Sequence, residues 1–212
     1  MSSELARLAE DARRLVPADP GVRAVLGLAG APAAGKSTLA RALVARLGGL
    51  AAYVPLDGFH LSNAQLDRLG LRDRKGSAPS FDVWGYEALL RRLHDEGARE
   101  VYVPDFDRML DEPIAARHRV PPATRLIITE GNYLACDAPG WREARALMAE
   151  LWYVDAPDGL RDARLMERHT ATGRTPAAAR AWVDSNDAPN AELVRPSLAR
   201  CDRVVRGFPV VD

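Results

Sequence analysis

Short apolar runs alternate with helix-like segments along most of the chain. The runs predict strands at residues 25–29, 51–56, 101–103, 126–129 and 151–154, with a short edge strand at 204–205. Between them, apolar residues recur every three or four positions and predict helices at 3–16, 39–47, 85–96, 140–149, 158–170 and 176–185. A polar loop is predicted at 104–113. This alternation predicts a three-layer α/β/α fold whose parallel sheet gathers its polar strand ends at one crevice.

A complete phosphate-binding P-loop lies between the first predicted strand and its helix. It matches G-x-x-x-x-G-K-[ST] and comprises Gly30, Ala31, Pro32, Ala33, Ala34, Gly35, Lys36, Ser37 and Thr38. Such a loop turns N–H groups and a helix N-terminus toward phosphate oxygens. Lys36 would reach the β- and γ-phosphates, and the Ser37 hydroxyl would hold Mg²⁺. A chance glycine-rich turn is the alternative, but the flanking strand and helix favour a site for ATP or GTP.

Length and composition predict one soluble, cytoplasmic domain. We take it as a single P-loop domain over residues 1–212, with an N-terminal helical segment at 1–20. Lys plus Arg and Asp plus Glu both number 29, so bulk charge supports neither a nucleic-acid nor a membrane partner. No apolar run approaches the roughly 18 residues of a membrane span. The first ten residues lack the pattern of a signal peptide. The cysteines Cys136 and Cys201 lack metal-ligand spacing.

Acidic residues follow two of the predicted strands. Asp57 comes directly after the second strand, where a carboxylate would face the γ-phosphate and could accept the proton of an attacking hydroxyl. An ordinary Asp-Gly turn is an equally good interpretation of this residue taken alone. Glu130 follows the 126–129 strand and is either a solvated strand end or an organiser of Mg²⁺ and its waters. We favour the metal role for Glu130.

Arginines accumulate after the last long strand. Arg161, Arg164 and Arg168 are spaced by three and four residues and therefore share one helical face, and Arg174 follows them. The planar, permanently charged guanidinium suits phosphate. For any one of these residues, a solvated face paired with neighbouring acidic residues is the better interpretation. As a cluster in a P-loop protein, they predict a phosphate-clamping lid at about residues 157–190.

Several motifs resemble the uridine kinase, phosphoribulokinase and bacterial pantothenate kinase group of P-loop kinases. They are 55–60 (PLDGFH), 74–76 (RKG) with 80–82 (SFD), 104–107 (PDFD), 128–131 (ITEG), 164–169 with 173–174, and 190–202. The resemblance extends over most of the chain, from residue 22 to residue 206. It is closest to the branch named for nucleoside and nucleotide kinases.

The resemblance implies transfer of the γ-phosphate of ATP, with Mg²⁺, to a hydroxyl of a small metabolite such as a sugar, a nucleoside or a pantothenate-like alcohol. Asp57 would be the general base and Glu130 would support Mg²⁺. Arg164, Arg168 and Arg174 would close over the phosphates, with Arg164 binding the nucleotide. Lys36 would neutralise the charge that develops during transfer. The residues expected to contact the acceptor are Asp57, His60, Lys75, Asp82, Phe106 and Asp107. Related kinases are often dimers or tetramers, which makes a homodimer admissible.

Two other classes of function remain open from the sequence. A regulatory or accessory ATPase would keep the P-loop and Glu130 but would need no acceptor pocket. A pocket lined by Asp57, Asp82 and residues 104–107 would argue against it. A nucleic-acid-processing ATPase is disfavoured, because the chain is neutral and shows no basic, aromatic groove.

Overall fold

A computed structural model describes residues 3–206, so the outermost ends of the predicted domain 1–212 and of the predicted segment 1–20 lie outside the described residues. The centre of the fold is a five-stranded parallel sheet in the order β2-β5-β1-β6-β7. The strands along the described chain are β1 (Ala24–Ala29), β2 (Ala51–Pro55), β3 (Val101–Asp107), β4 (Glu112–Val120), β5 (Leu126–Glu130), β6 (Glu150–Asp155) and β7 (Arg203–Arg206).

Helices cover both faces of this sheet. They are α1 (Ser3–Arg13), α2 (Lys36–Leu47), α3 (Asn63–Leu69), α4 (Val83–Asp95), α5 (Trp141–Ala146), α6 (Asp158–Ala171), α7 (Pro176–Trp182) and α8 (Ala188–Val194). A π-helical turn, Val183–Asp187, connects α7 to α8. The predicted α/β architecture with a parallel central sheet is confirmed.

Two hydrophobic clusters separate the layers. Val25 of β1 belongs to the cluster under α4 and α5, whereas Leu26 and Leu28 belong to the cluster under α1 and α2. Successive side chains of a strand point to opposite faces, so a fully apolar strand can serve both clusters. On the α1 side, Arg203 of β7 donates to Asp11 of α1 across 2.6 Å.

The predicted polar loop at 104–113 is wrong. The residues after the predicted strand at 101–103 extend β3 to Asp107, and β4 returns antiparallel to it as a separate two-stranded sheet. That strand is therefore not part of the parallel sheet. The side chains of β4 are mostly exposed or half-buried, and Ala116 has a φ of 56°. A strand of this kind lacks the apolar alternation from which strands are predicted.

Gly58 fixes the β3–β4 hairpin beside the main sheet. A Cβ on this residue would lie 2.5 Å from the carbonyl carbon and oxygen of Pro104 in β3. Only glycine allows this close approach between the turn after β2 and the hairpin. Asp57 precedes Gly58, so the same contact determines how Asp57 lies against the hairpin.

Membrane-spanning character is not found in the described part of the chain: none of its helices combines the length and apolar character needed to cross a bilayer.

Candidate active site

A cleft of about 920 Å³ opens at the carboxyl ends of the parallel strands. The sequence-predicted residues that line it are Pro32, Ala33, Gly35, Lys36, Ser37, Thr38, Asp57, His60, Lys75, Phe106, Glu130, Arg164, Arg168 and Arg174. Gly30, Ala31 and Ala34 are buried in the loop behind this surface. One cleft thus brings together the P-loop, both predicted carboxylates and three of the four predicted lid arginines.

The P-loop adopts its shape because of its glycines. Gly30 has a φ of 147°, and a Cβ there would lie 2.4 Å from the carbonyl oxygen of Val154. Gly35 is the N-cap of α2, with a φ of 100°. Since glycine offers no side chain to cap the helix, the first N–H groups of α2 remain directed toward the cleft. Together with the positive end of the helix, they form a site for anionic phosphate.

Lys36 is a buried ammonium at the base of this loop. Its Nζ donates to the carbonyl oxygens of Gly30 (3.0 Å) and Ala31 (2.9 Å) and to Oδ1 of Asn132 (2.6 Å). Burial lowers the pKa of Lys36 to about 8, although the negative charges of Glu130 and Asp57 act in the opposite direction. The positive charge of Lys36 is therefore retained in water-poor surroundings, where it interacts strongly with anions.

Glu130 ends β5 and is almost fully buried. Its Oε1 accepts a hydrogen bond of 2.7 Å from the Tyr53 hydroxyl, which belongs to β2 beside it. The pKa of Glu130 is raised, first by burial and then by the nearby charge of Asp57. Lys36 and hydrogen bonds from Tyr53 and Ser37 oppose this shift without cancelling it. The hydrogen bond from Ser37 places this carboxylate beside a hydroxyl in the first turn of α2.

Asp57 lies in a 3₁₀ turn directly after β2. The NH2 of Arg108, in the β3–β4 turn, lies 3.7 Å from its Oδ2. Burial disfavours the ionised carboxylate, but electrostatic interactions with His60, Arg108 and Lys36 outweigh burial and lower the pKa of Asp57. Asp57 is therefore an anion near neutral pH. It can accept a hydrogen bond and a proton in the cleft.

Three aromatic rings form one wall of the cleft near Asp57. The His60 ring lies 4.0 Å from that of Phe81 and 4.7 Å from that of Phe106, centroid to centroid. The Nδ1 atom of His60 is 2.8 Å from the carbonyl oxygen of Asp57. Burial lowers the pKa of His60. His60 is therefore held by its own turn and packed against two aromatic rings where it lines the cleft.

The other residues predicted to bind the acceptor hold the surrounding loops together. Lys75 donates to Asn63 Oδ1 (2.6 Å) and to the carbonyl oxygen of Asp111, and it forms an ion pair with the Asp111 carboxylate (3.0 Å). Asp82 caps α4 by accepting from the N–H of Gly85 (2.9 Å). Asp107 accepts from the N–H groups of residues 109 and 110 and pairs with Arg117. Neither Asp82 nor Asp107 lines the cleft.

The lid segment, residues 157–190, reaches the cleft through three arginines. Arg164 NH1 donates to the carbonyl oxygen of Ala33 in the P-loop (3.3 Å). Arg168 NH2 lies 3.6 Å from Oδ1 of Asp187, and Arg174 lies over the Trp182 ring, 4.3 Å from its centroid. Arg161, on the same predicted face, instead pairs with Asp158 at the start of α6.

Several cleft residues were not predicted from the sequence. Asn132, Arg108, Asn186 and Asp187 line the cleft, and Asn132 bonds directly to Lys36. The position of Asn132, two residues beyond Glu130, was the one available signal. Asp187 is the last residue of a π-helical turn, which shifts the helical register and cannot be predicted from 3.6-residue periodicity. Such turns are frequent at functional sites.

The site and the sheet define a P-loop phosphotransferase, a conclusion that comparison with known proteins supports. No protein-family model matches the chain. A Schizosaccharomyces pombe protein named "Putative uridine kinase" is 33% identical over 195 residues, covering 87% of this chain and 83% of that protein. An Aspergillus versicolor protein named "ATP-dependent kinase-like protein" is 35% identical over 146 residues, covering 65% of this chain and 85% of that protein.

A solved structure agrees with these relatives. The crystal structure of a "putative fructose transport system kinase" from Silicibacter sp. TM1040 matches with a TM-score of 0.86 and 38% identity, covering 99% of this chain and 100% of that chain. The chain belongs to the uridine kinase-like family of P-loop kinases. It is a nucleotide-dependent phosphotransferase that acts on a hydroxyl group of a small molecule.

Proposed function

We propose that this protein transfers the γ-phosphate of ATP to a hydroxyl group of a sugar, a nucleoside or a pantothenate-like alcohol, with Asp57 as the general base. The observation that carries the proposal is the placement of an ionised Asp57 in the same cleft as Lys36 and Glu130. An ATPase without an acceptor needs the last two residues but has no need of a carboxylate facing an open, aromatic-walled part of the cleft.

The residues at the start of α2 and the end of β5 fit Mg²⁺. This ion prefers oxygen ligands and is commonly bound by one or two carboxylates together with substrate phosphates and waters. Ser37 and Glu130 supply a hydroxyl and a carboxylate that contact each other beside the P-loop. In residues 3–206 there is no group of three or more His, Cys, Asp and Glu side chains that could hold a metal unaided, so these two residues would depend on nucleotide oxygens. The bound ion would neutralise charge on the phosphates.

Transfer would proceed in line. The acceptor hydroxyl oxygen forms a bond to the γ-phosphorus while the bond from that phosphorus to the bridging oxygen of ADP breaks. The hydroxyl proton passes to the carboxylate of Asp57. Because its low pKa makes Asp57 a weak base, its main early contribution is to orient the hydroxyl. Lys36 and Arg168 would stabilise the charge on the transferred phosphoryl group.

The acceptor would rest against the wall formed by His60, Phe81 and Phe106. Ring faces of this kind can pack on a sugar or a nucleoside. Lys75 would act indirectly, because its ammonium lies over the Phe106 ring at 4.9 Å and holds Asp111 and Asn63 in place. The lid segment would close with Arg164, Arg168 and Arg174 over the phosphates and exclude water as a competing acceptor.

The test is ADP release with ATP and Mg²⁺ across a panel of sugars, nucleosides and pantothenate, with wild-type protein and Asp57→Asn. One acceptor class should stimulate the wild type. Asp57→Asn should still bind nucleotide but transfer phosphate at least about a hundredfold more slowly, the usual scale for loss of a general base. The matched control is Asp67→Asn, which changes an exposed carboxylate on α3 that does not line the cleft and pairs with the exposed Arg72.

Two outcomes would contradict the proposal. Near-normal transfer by Asp57→Asn would remove Asp57 from the reaction. ADP release that no member of the panel stimulates, and that Asp57→Asn leaves unchanged, would favour the accessory ATPase.

A further inference from the structure

His169 connects the π-helical turn to an arginine of the lid segment. It lies in the last turn of α6 and is buried. Its Nε2 is 2.8 Å from Oδ2 of Asp187, and its Nδ1 is 3.0 Å from NH1 of Arg174. Both ring nitrogens are therefore used, one on each side of the ring.

The two partners determine which nitrogen of His169 carries the proton. A guanidinium donates hydrogen bonds and cannot accept them. Nδ1 must therefore be the acceptor for Arg174, and the single ring proton is on Nε2, where it is donated to Asp187. In this arrangement His169 is neutral, and its orientation is fixed from both ends.

Asp187 serves two lid arginines at once. Its Oδ1 faces Arg168 at 3.6 Å, while its Oδ2 accepts from His169. Arg168 is thus held directly by the carboxylate, whereas Arg174 is held through the imidazole. A direct ion pair with a carboxylate would neutralise the positive charge of Arg174. The uncharged Nδ1 of His169 does not, so the charge of Arg174 remains available to bind phosphate.

The backbone and the Trp182 ring complete this arrangement. Gly173 has a φ of 96° and turns the chain back after α6, so that the N–H of Arg174 reaches the carbonyl oxygen of His169 (3.1 Å). The Arg174 guanidinium then lies between the His169 edge and the Trp182 face. Arg174, His169, Trp182 and Asp187 all line the cleft.

We propose that His169 is a positioning residue that orients Arg174 toward the nucleotide phosphates. The Nδ1 atom of His169 accepts a hydrogen bond from Arg174, and Asp187 fixes the tautomer of His169 by accepting from Nε2. This inference rests on the phosphate-binding role given to Arg174 in the proposed function. It concerns nucleotide affinity alone, so it can be tested without knowing the acceptor.

The experiment compares His169 variants whose side chains replace either the Nδ1 atom or the Nε2 atom of the imidazole, or neither. In His169→Asn the amide oxygen can occupy the place of Nδ1 and accept from Arg174. In His169→Gln the amide lies near the place of Nε2 and keeps the contact to Asp187. His169→Leu and Arg174→Ala remove the contact from either side, and the double variant closes a mutant cycle. The measurement is the Kd of a non-hydrolysable ATP analogue with Mg²⁺, alongside the melting temperature of each variant.

We expect Arg174→Ala, His169→Leu and His169→Gln each to weaken binding about tenfold or more, the scale of one charge-assisted hydrogen bond to phosphate. The double variant should bind no more weakly than Arg174→Ala, and His169→Asn should recover most of the affinity. Three results would overturn the inference: losses that add in the double variant, equal affinities for His169→Asn and His169→Gln, or wild-type affinity in Arg174→Ala. In the last case the kinase reaction itself could still proceed with Asp57 as base.

Discussion

At the residue scale, burial favours the neutral form of Lys36, whereas phosphate binding requires its charged form. The three acceptors around Nζ keep it charged in a buried position, and its pKa still falls to about 8. Phosphate brought next to it would favour the charged form. The residue thus gives nucleotide binding a dependence on pH that is visible in the alkaline range.

Nucleotide binding at about pH 8.5 should therefore be accompanied by proton uptake. In the nucleotide-free protein, Lys36 loses its proton as the pH rises through about 8. In the complex, the negative phosphates raise its pKa, so Lys36 takes up a proton on binding. Calorimetry in two buffers of different ionisation enthalpy measures the uptake. At about pH 6.5 Lys36 is protonated in both states and contributes none. Lys36→Arg, which stays charged throughout, should lose the alkaline uptake, whereas undiminished uptake in that variant would assign it to another group.

At the scale of elements, the parts that could be predicted are those with a local chemical reason. The P-loop could be predicted because a phosphate-binding loop between a strand and a helix requires glycines and a lysine at fixed spacing. The parallel strands were predicted because each is a short apolar run. The hairpin was missed because β4 is largely exposed, and the position of Asp187 was missed because it depends on the π-helical turn. Asp82 and Asp107 were predicted from motif resemblance to contact the acceptor, but both bond to the local backbone and neither lines the cleft. A motif alone does not distinguish residues that shape a loop from residues that line the cleft.

The junction between β2 and the hairpin should be sensitive to a single methyl group. Gly58→Ala would bring a Cβ into the Pro104 backbone and should cost about 1–3 kcal/mol of unfolding free energy, the usual range for overpacking. It should also slow phosphate transfer, because Asp57 moves with the turn. Urea unfolding and transfer assays test both effects. Gly159→Ala is the matched control: its Cβ would meet open space in α6, so stability should stay the same or rise. Equal stability of the two variants would show that the turn can move away from β3 without cost.

At the scale of the whole molecule, a buried arginine that holds several chain segments together and the cleft lie at opposite ends of the parallel strands. Arg23 immediately precedes β1, at the amino edge, and is almost fully buried. Its guanidinium donates to five backbone carbonyl oxygens that end α4 and form the connection from β4 to β5: Leu93, Glu96, Gly97, Pro121 and Thr124. One side chain thereby satisfies buried acceptors from several parts of the chain, while the cleft lies at the carboxyl edge.

Arg23→Met should therefore destabilise the protein without changing its site. We expect a loss on the order of 3 kcal/mol or more of unfolding free energy, because charge-assisted hydrogen bonds are lost and carbonyl groups are left unpaired. Thermal unfolding measures the loss, and the Kd for nucleotide well below the melting temperature should match that of the wild type. Arg46→Met, at an exposed position of α2, is the control and should unfold like the wild type. A changed Kd in Arg23→Met would show that the two edges are coupled.

The contact between Asp11 and Arg203 bears on how this architecture can vary. It joins α1 to β7, the first helix and the last strand of residues 3–206, and both contribute to the cluster under α2. Elements near the two ends of the described chain are therefore neighbours in space. A chain that was circularly permuted, beginning at another surface turn and continuing through this junction, could build the same sheet and the same cleft. A sequence comparison that follows residues in linear order would detect only part of the similarity between such a permuted chain and this one.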